Sequence, residues 1–139
     1  MDWKNRYLSL EGRTNRKPFW LGVLALVVVT WILEFILFGA FGVSMMPTVD
    51  PNADPAAAAA AASAMMGKMM VPMGILWLII IWPAICLYAK RWHDRDKSGW
   101  WTLIGLVPVI GGIWLLVELG FLRGTEGPNR FGPDPLAGQ

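Results

Sequence analysis

The sequence predicts an all-α integral membrane protein: three transmembrane helices, a short periplasmic helix and an irregular C-terminal tail. Two observations carry this. Of 139 residues, 55% are apolar and only 16% charged, well below the quarter usual in soluble proteins. The apolar residues also gather into three blocks of about 20 with nearly all the charge between them, matching the roughly 20 helical residues that cross a hydrocarbon core of about 30 Å. The length suits one membrane domain over 1–139.

Residues 1–17 hold Lys4, Arg6, Arg13, Arg16 and Lys17 interleaved with Trp3, Tyr7, Leu8 and Leu10, a composition for a short segment at the headgroup boundary. The first span covers about 19–41, with Glu34 alone in a field of Leu, Val, Ile and Phe. That run exceeds the apolar core of a cleaved signal peptide and reads as an uncleaved signal-anchor. An outer loop at 43–69 contains Pro47, Pro51 and Pro55, an alanine run and Met65, Met66, Met69 and Met70. Asp54 followed by Pro55 is a helix start, with a capping acceptor and then a proline at the first helical position. A short helix from Pro55 to Met66 follows, broken or bent at Gly67. The second span covers about 70–89, with a kink expected at Pro83. The turn 90–99, KRWHDRDKSG, leads into a third span at about 100–122, which contains Pro108, Gly111, Gly112 and Glu118. The Gly- and Pro-rich tail at 123–139 is irregular.

Nine Lys and Arg lie before the first span and in the 90–99 turn, and three (Lys68, Arg123, Arg130) on the other side. The positive-inside tendency therefore places the N-terminus and that turn in the cytoplasm of a bacterial inner membrane. Three crossings leave the tail outside. A re-entrant hairpin in the third block returns it inside, but 23 residues favour one kinked crossing over two half-crossings.

Intramembrane carboxylates are functional candidates because they are costly to bury in lipid. With straight spans, Glu34 and Glu118 reach similar outer depth near Lys68. The plainer reading has Glu118 at the interface and Glu34 hydrogen-bonded within the bundle. The methionines read as packing rather than a copper site, and Cys86 as a small buried apolar residue. His93, Asp94 and Asp96 among four cations make a poor metal site, so no metal or cofactor is expected. A net charge of +2 with scattered basic residues gives no footprint for nucleic acid. No nucleophile-base or phosphate-loop pattern is present, so the chain reads as no enzyme.

Four stretches carry a resemblance. GRTNRKPFW supplies Gly12, Arg13, Arg16, Phe19 and Trp20, and AKRWHDRDKSGWW supplies Arg91, His93, Asp94, Ser98, Gly99 and Trp100. The third block supplies Pro108 and Gly111. GTEGPNRFGPDP supplies Gly124, Gly127, Asn129, Arg130, Phe131, Gly132, Asp134 and Pro135. In order and spacing the chain resembles the bacterial family of small inner-membrane proteins catalogued as domain of unknown function 805, the YhaH-like proteins. The resemblance implies an inner-membrane, all-helical protein and no particular activity; the stretch 53–70 is longer than the family's usual connection.

The matched positions concentrate at membrane boundaries. Arg13, Arg16, Arg91, His93, Asp94 and Ser98 form a candidate polar network at the inner face, with Asp94 pairing Arg13 or Arg16 and Ser98 capping the third helix. If the tail residues Asn129, Arg130 and Asp134 join it, the tail is inside and the third block a hairpin. The functional reading is a structural or regulatory protein acting through anionic lipids, self-association or a larger membrane complex. The alternative is a transporter or channel subunit using Glu34 and Glu118. An enzyme acting on headgroups through His93 and Asp94 is the weakest reading.

Overall fold

A computed structural model describes residues 3–39 and 54–137. The end of the expected first span at 40–41 and the outer-loop residues 43–53, with Pro47 and Pro51, lie outside them. The described residues are helical, without strands; one isolated bridge joins Asn129 and Gly132. The helices are α1 (Trp3–Leu8), α2 (Arg16–Leu37), α3 (Pro55–Asp94), a 3₁₀-helix (Gly99–Leu106), α4 (Ile110–Leu115) and a π-helical segment (Leu116–Phe121).

Two helices, α2 and α3, are long and apolar enough to cross a membrane. Pro18 falls in the first turn of α2, where a missing N–H costs nothing. Pro55 plays the same part in α3, whose first internal bond runs from Ala58 N to Asp54 O at 3.0 Å. The expected short helix and second span are one helix of 40 residues, twice what a crossing needs. It runs on through Gly67, because one glycine costs a helix only about 1 kcal/mol relative to alanine and the surrounding Ala and Met favour helix. It also continues through Pro83.

The third block departs from a single span. Its first arm is the 3₁₀-helix, eight residues long, and its second is α4 with the π-segment. Between them Val109 has φ +65° and ψ −62°, and Ile110 N donates to Pro108 O at 2.7 Å. That is a γ-turn of the rare positive-φ kind. The chain reverses there, and a Cβ on Gly111 would lie 1.9 Å from Ile104 O, so only glycine permits the arms this approach. A 3₁₀-helix rises about 2.0 Å per residue. Eight residues then reach about 16 Å, half a hydrocarbon core.

The chain divides into two compact units. One, Met1–Val27 with Ile81–Gln139, has a core of Phe19, Leu87, Trp92 and Leu119, with Tyr7, Val23, Leu26, Tyr88 and Leu115 packed against it. The other, Val28–Ile80, has Leu76 as its only buried hydrophobic side chain among the described residues. The outward residues of α2, such as Leu24, Ile32 and Phe35, and those of α3, such as Ile75 and Leu78, are large and exposed. In a bilayer such surfaces face acyl chains.

Candidate functional site

The larger unit is organised around Asp94, the last residue of α3. Its carboxylate is nearly buried and ion-paired on both oxygens. Arg13 Nη2 lies 3.2 Å from Oδ1, and Arg91 Nη1 bonds Oδ2. Arg91 sits one turn back on the same helix, while Arg13 arrives from the segment between α1 and α2. Thr14 N donates to Lys90 O at 3.2 Å and fixes that segment in register. Lys90, fully buried, extends its ammonium to the Asn5 side-chain oxygen at 2.8 Å and to the Asn5 carbonyl, tying down α1.

The tail closes over this pair. Arg13 Nη2 donates to Thr125 O at 2.6 Å, and Nη1 donates to Gly127 O at 2.7 Å and Gly132 O at 3.3 Å. Thr125 donates its N–H (2.7 Å) and hydroxyl (3.0 Å) to Asp94 O. Asn129 Nδ2 reaches His93 O at 2.8 Å, and Arg130 pairs with Asp96 at 3.2 Å. Asp134 shapes the tail itself, accepting from Gly127 N and Leu136 N at 2.9 Å each. At Gly124 an added Cβ would stand 2.0 Å from Asp94 Oδ2, so the tail backbone lies directly on the carboxylate.

The hairpin returns to the same place. A helix leaves its last carbonyls without intrahelical partners, and here side chains supply them. Arg91 Nε donates to Leu119 O at 2.7 Å and Nη2 to Leu122 O, while Trp20 Nε1 takes Gly120 O at 3.2 Å and Arg16 Nη1 takes Phe121 O at 3.0 Å. Cations at a helix C-terminus also oppose the negative end of its dipole. Glu118 is clasped by Arg95 (2.7 Å) and Lys97 (2.9 Å). The Lys97 ammonium also lies 5.6 Å from the ring centres of both Trp92 and Trp101. Ser98 stands at the N-cap of the 3₁₀-helix, its hydroxyl oxygen accepting from Trp100 N at a long 3.5 Å.

Burial is the largest influence on Arg91, His93 and Asp94. It pushes Arg91 down to about 10, against the pull of Asp94, which leaves the guanidinium charged at neutral pH. Burial pushes the Asp94 carboxyl up from its ordinary value, with Arg91 and Arg13 drawing it back. His93 is pushed down by burial and, less, by Arg130 and Lys90, although its contact with Gly12 O opposes this. Its imidazole stacks on Phe131 at 3.9 Å, with Nδ1 3.3 Å from Gly12 O. Asp134 is held below the usual carboxylate range by its two backbone N–H donors.

The structure thus brings Arg13, Arg91, His93 and Asp94 together with the tail residues Asn129 and Arg130. Arg16 lines a small cavity with Asp94 but forms no ion pair with it, bonding Phe121 O at the hairpin's end instead. Of the expected grouping of Glu34, Glu118 and Lys68, Glu118 pairs with Arg95 and Lys97 of the 90–99 turn because its arm folds back, while Glu34 and Lys68 lie in the other unit. Sequence reasoning missed Thr125 and the Glu118 clasp. A threonine in a polar tail gives no signal, and the clasp was hidden by assigning Glu118 a depth on a straight span. Among the described residues no group of His, Cys, Asp and Glu is arranged to hold a metal ion.

Comparison with known proteins gives a consistent picture. The model of a family described as a protein of unknown function, DUF805, matches residues 7–133. The inner membrane protein YhaH of Escherichia coli K12 is 32% identical over 97% of this chain and 97% of its own length. The inner membrane protein YhaI of the same strain is 29% identical over 95% of this chain and 90% of its own. The uncharacterized protein YiiR is 28% identical over 40% of this chain. No solved structure matches the chain.

Proposed function

We propose, from the premise that the chain belongs to the DUF805 family of membrane proteins, that it is a non-enzymatic inner-membrane protein crossing twice. The 100–122 block dips in and returns, and both the N-terminus and the tail are cytoplasmic. Its work is to hold a rigid, positively charged platform at the inner headgroup boundary, where it contacts anionic lipid. The observation that carries this reading is the commitment of Arg13, Arg91, His93, Asp94 and Glu118 to one another and to backbone groups. Groups so occupied specify a fold and have no free valence for turnover. Outside the network, Lys4, Arg16, Lys17 and Arg123 are exposed, and such cations near an anionic surface are each worth about 1 kcal/mol. The transporter alternative rested on two free carboxylates, and Glu118 already neutralises two cations.

The topology is tested by reporters fused after Gln139 that are active on one side only; the reading requires the cytoplasmic reporter to be the active one. The platform is tested by reconstituting the protein in phosphatidylcholine vesicles with and without phosphatidylglycerol. Greater stability with the anionic lipid is expected, diminishing with salt, and equal stability in both overturns it.

A further inference from the structure

Within the larger unit a groove of about 270 Å³ runs between α2 and the returning arm of the hairpin, lined by Phe19, Trp20, Val23, Tyr88, Leu115 and Gly120 among others. Its walls are mostly apolar, a lining suited to an acyl chain. One end is different. Trp20 and Arg16 are one turn apart on the same face of α2 and reach successive carbonyls, Gly120 O and Phe121 O. Arg16 therefore stands directly beyond the groove, toward the headgroups. Its guanidinium is exposed and makes one hydrogen bond among the described residues, so it has further N–H donors to offer a ligand. Lys17, beside it in sequence, is exposed, and Arg123 lines the same small polar cavity as Arg16. Acids are near as well, but each is engaged: Asp94 by Arg13 and Arg91, Asp134 by backbone N–H groups, and Glu126 by Arg123 at 2.9 Å.

Resting on the platform reading and making it specific, we infer that this groove is a binding site for one anionic phospholipid. An acyl chain lies along Phe19, Val23 and Leu115, and the phosphate sits on the Arg16 guanidinium. An arginine fork suits a phosphate's paired oxygens. Lys17 and Arg123 then favour a headgroup without a cation of its own. The indole of Trp20, apolar in body with its N–H already bonded to Gly120 O, marks the depth at which chain gives way to headgroup.

The test uses the full chain in a mild detergent, titrated with phosphatidylglycerol, phosphatidylcholine or inorganic phosphate and read by native mass spectrometry. The expected result is one tight phosphatidylglycerol adduct, about tenfold stronger than the phosphatidylcholine adduct, a difference of about 1.4 kcal/mol, with no competition from inorganic phosphate. Two variants locate it. Gly112 lines the groove and a Cβ there meets open space, so the backbone tolerates a side chain and Gly112→Leu obstructs the groove and removes the tight adduct. Arg16→Gln, at an exposed position, weakens it about tenfold. A tight adduct unchanged in both variants overturns this site while leaving the platform standing. No preference for phosphatidylglycerol in the unaltered chain overturns the platform as well, and competition by inorganic phosphate replaces the lipid with a free anion.

Discussion

The two units of this chain are stabilised by opposite means. The larger holds all six ion pairs found among the described residues, four of them on Asp94 and Glu118, and Arg13, Lys90, Arg91 and Asp94 are more deeply buried than most of its apolar side chains. In Val28–Ile80 neither Glu34 nor Lys68 forms an ion pair with another described residue, and the apolar side chains face outward. A lipid tail is as apolar as leucine, so apolar contact discriminates weakly between one helix arrangement and another in a membrane. The lesson is that the buried polar boundary, rather than the apolar spans, specifies the fold.

The sharpest way to break that comparison is to remove one carboxylate from each unit. Asp94→Ala leaves two buried guanidinium groups without their counter-charge, and breaking such pairs costs about 3–5 kcal/mol. Glu34→Ala is expected to stay within about 0.5 kcal/mol, as for substitutions away from packed features. Unfolding in mixed micelles of increasing sodium dodecyl sulfate measures both; comparable losses would dissolve the distinction. Next in size is Gly124→Ala, whose methyl group meets the Asp94 carboxylate. Overpacking of this kind costs about 1–3 kcal/mol, and faster proteolysis of the tail with α2 and α3 intact is the expected sign.

These effects bear on what was legible beforehand. Hydropathy revealed α2 and the apolar part of α3, since 20 apolar residues admit few other readings, and charge clustering pointed to Arg13, Arg91 and Asp94 because opposite charges at one boundary need each other. The hairpin was hidden. A count of residues assumes 1.5 Å of rise for each, whereas the Gly99–Leu106 arm is 3₁₀ and its eight residues reach about 16 Å. The reversal itself falls on Val109, a β-branched residue at positive φ, where sequence rules give no warning. Pro108 and Gly111 were visible, but a kinked helix explains them equally well. Once Glu118 had been assigned to the far side, its partners Arg95 and Lys97 were out of reach of the argument.

A smaller effect sharpens the hairpin's part. Val109→Gly relieves a backbone conformation that costs about 1–3 kcal/mol, partly offset by glycine's greater freedom when unfolded, so a net gain of about 1 kcal/mol is expected in the same micelle titration. A loss instead would mean that the valine side chain matters to the turn.

The smallest effect is a pH dependence. Burial holds the His93 pKa below 6.5 in the folded chain. The unfolded chain therefore binds the proton first, and the stability His93 contributes is present above about 6.5 and lost as pH falls through its depressed value. Asp94, pushed the other way, contributes the opposite sign. Comparing the unaltered chain with His93→Gln isolates the histidine: the variant should lose less stability between pH 7.5 and 5.5, and identical slopes would remove His93 from the account.

The bonds from Arg13 to Thr125, Gly127 and Gly132 bridge 112, 114 and 119 positions of chain. A ribosome making this protein releases Arg13 long before the carbonyls that receive it exist, and both long apolar helices are made in the interval. The buried guanidinium must meanwhile be kept by water, headgroups or Asp94 alone. Closure of the tail is therefore the last act of assembly, a clasp fastened after insertion, and loops of that size make it entropically demanding. A chain halted before residue 125 would have its helices in the membrane and its clasp open.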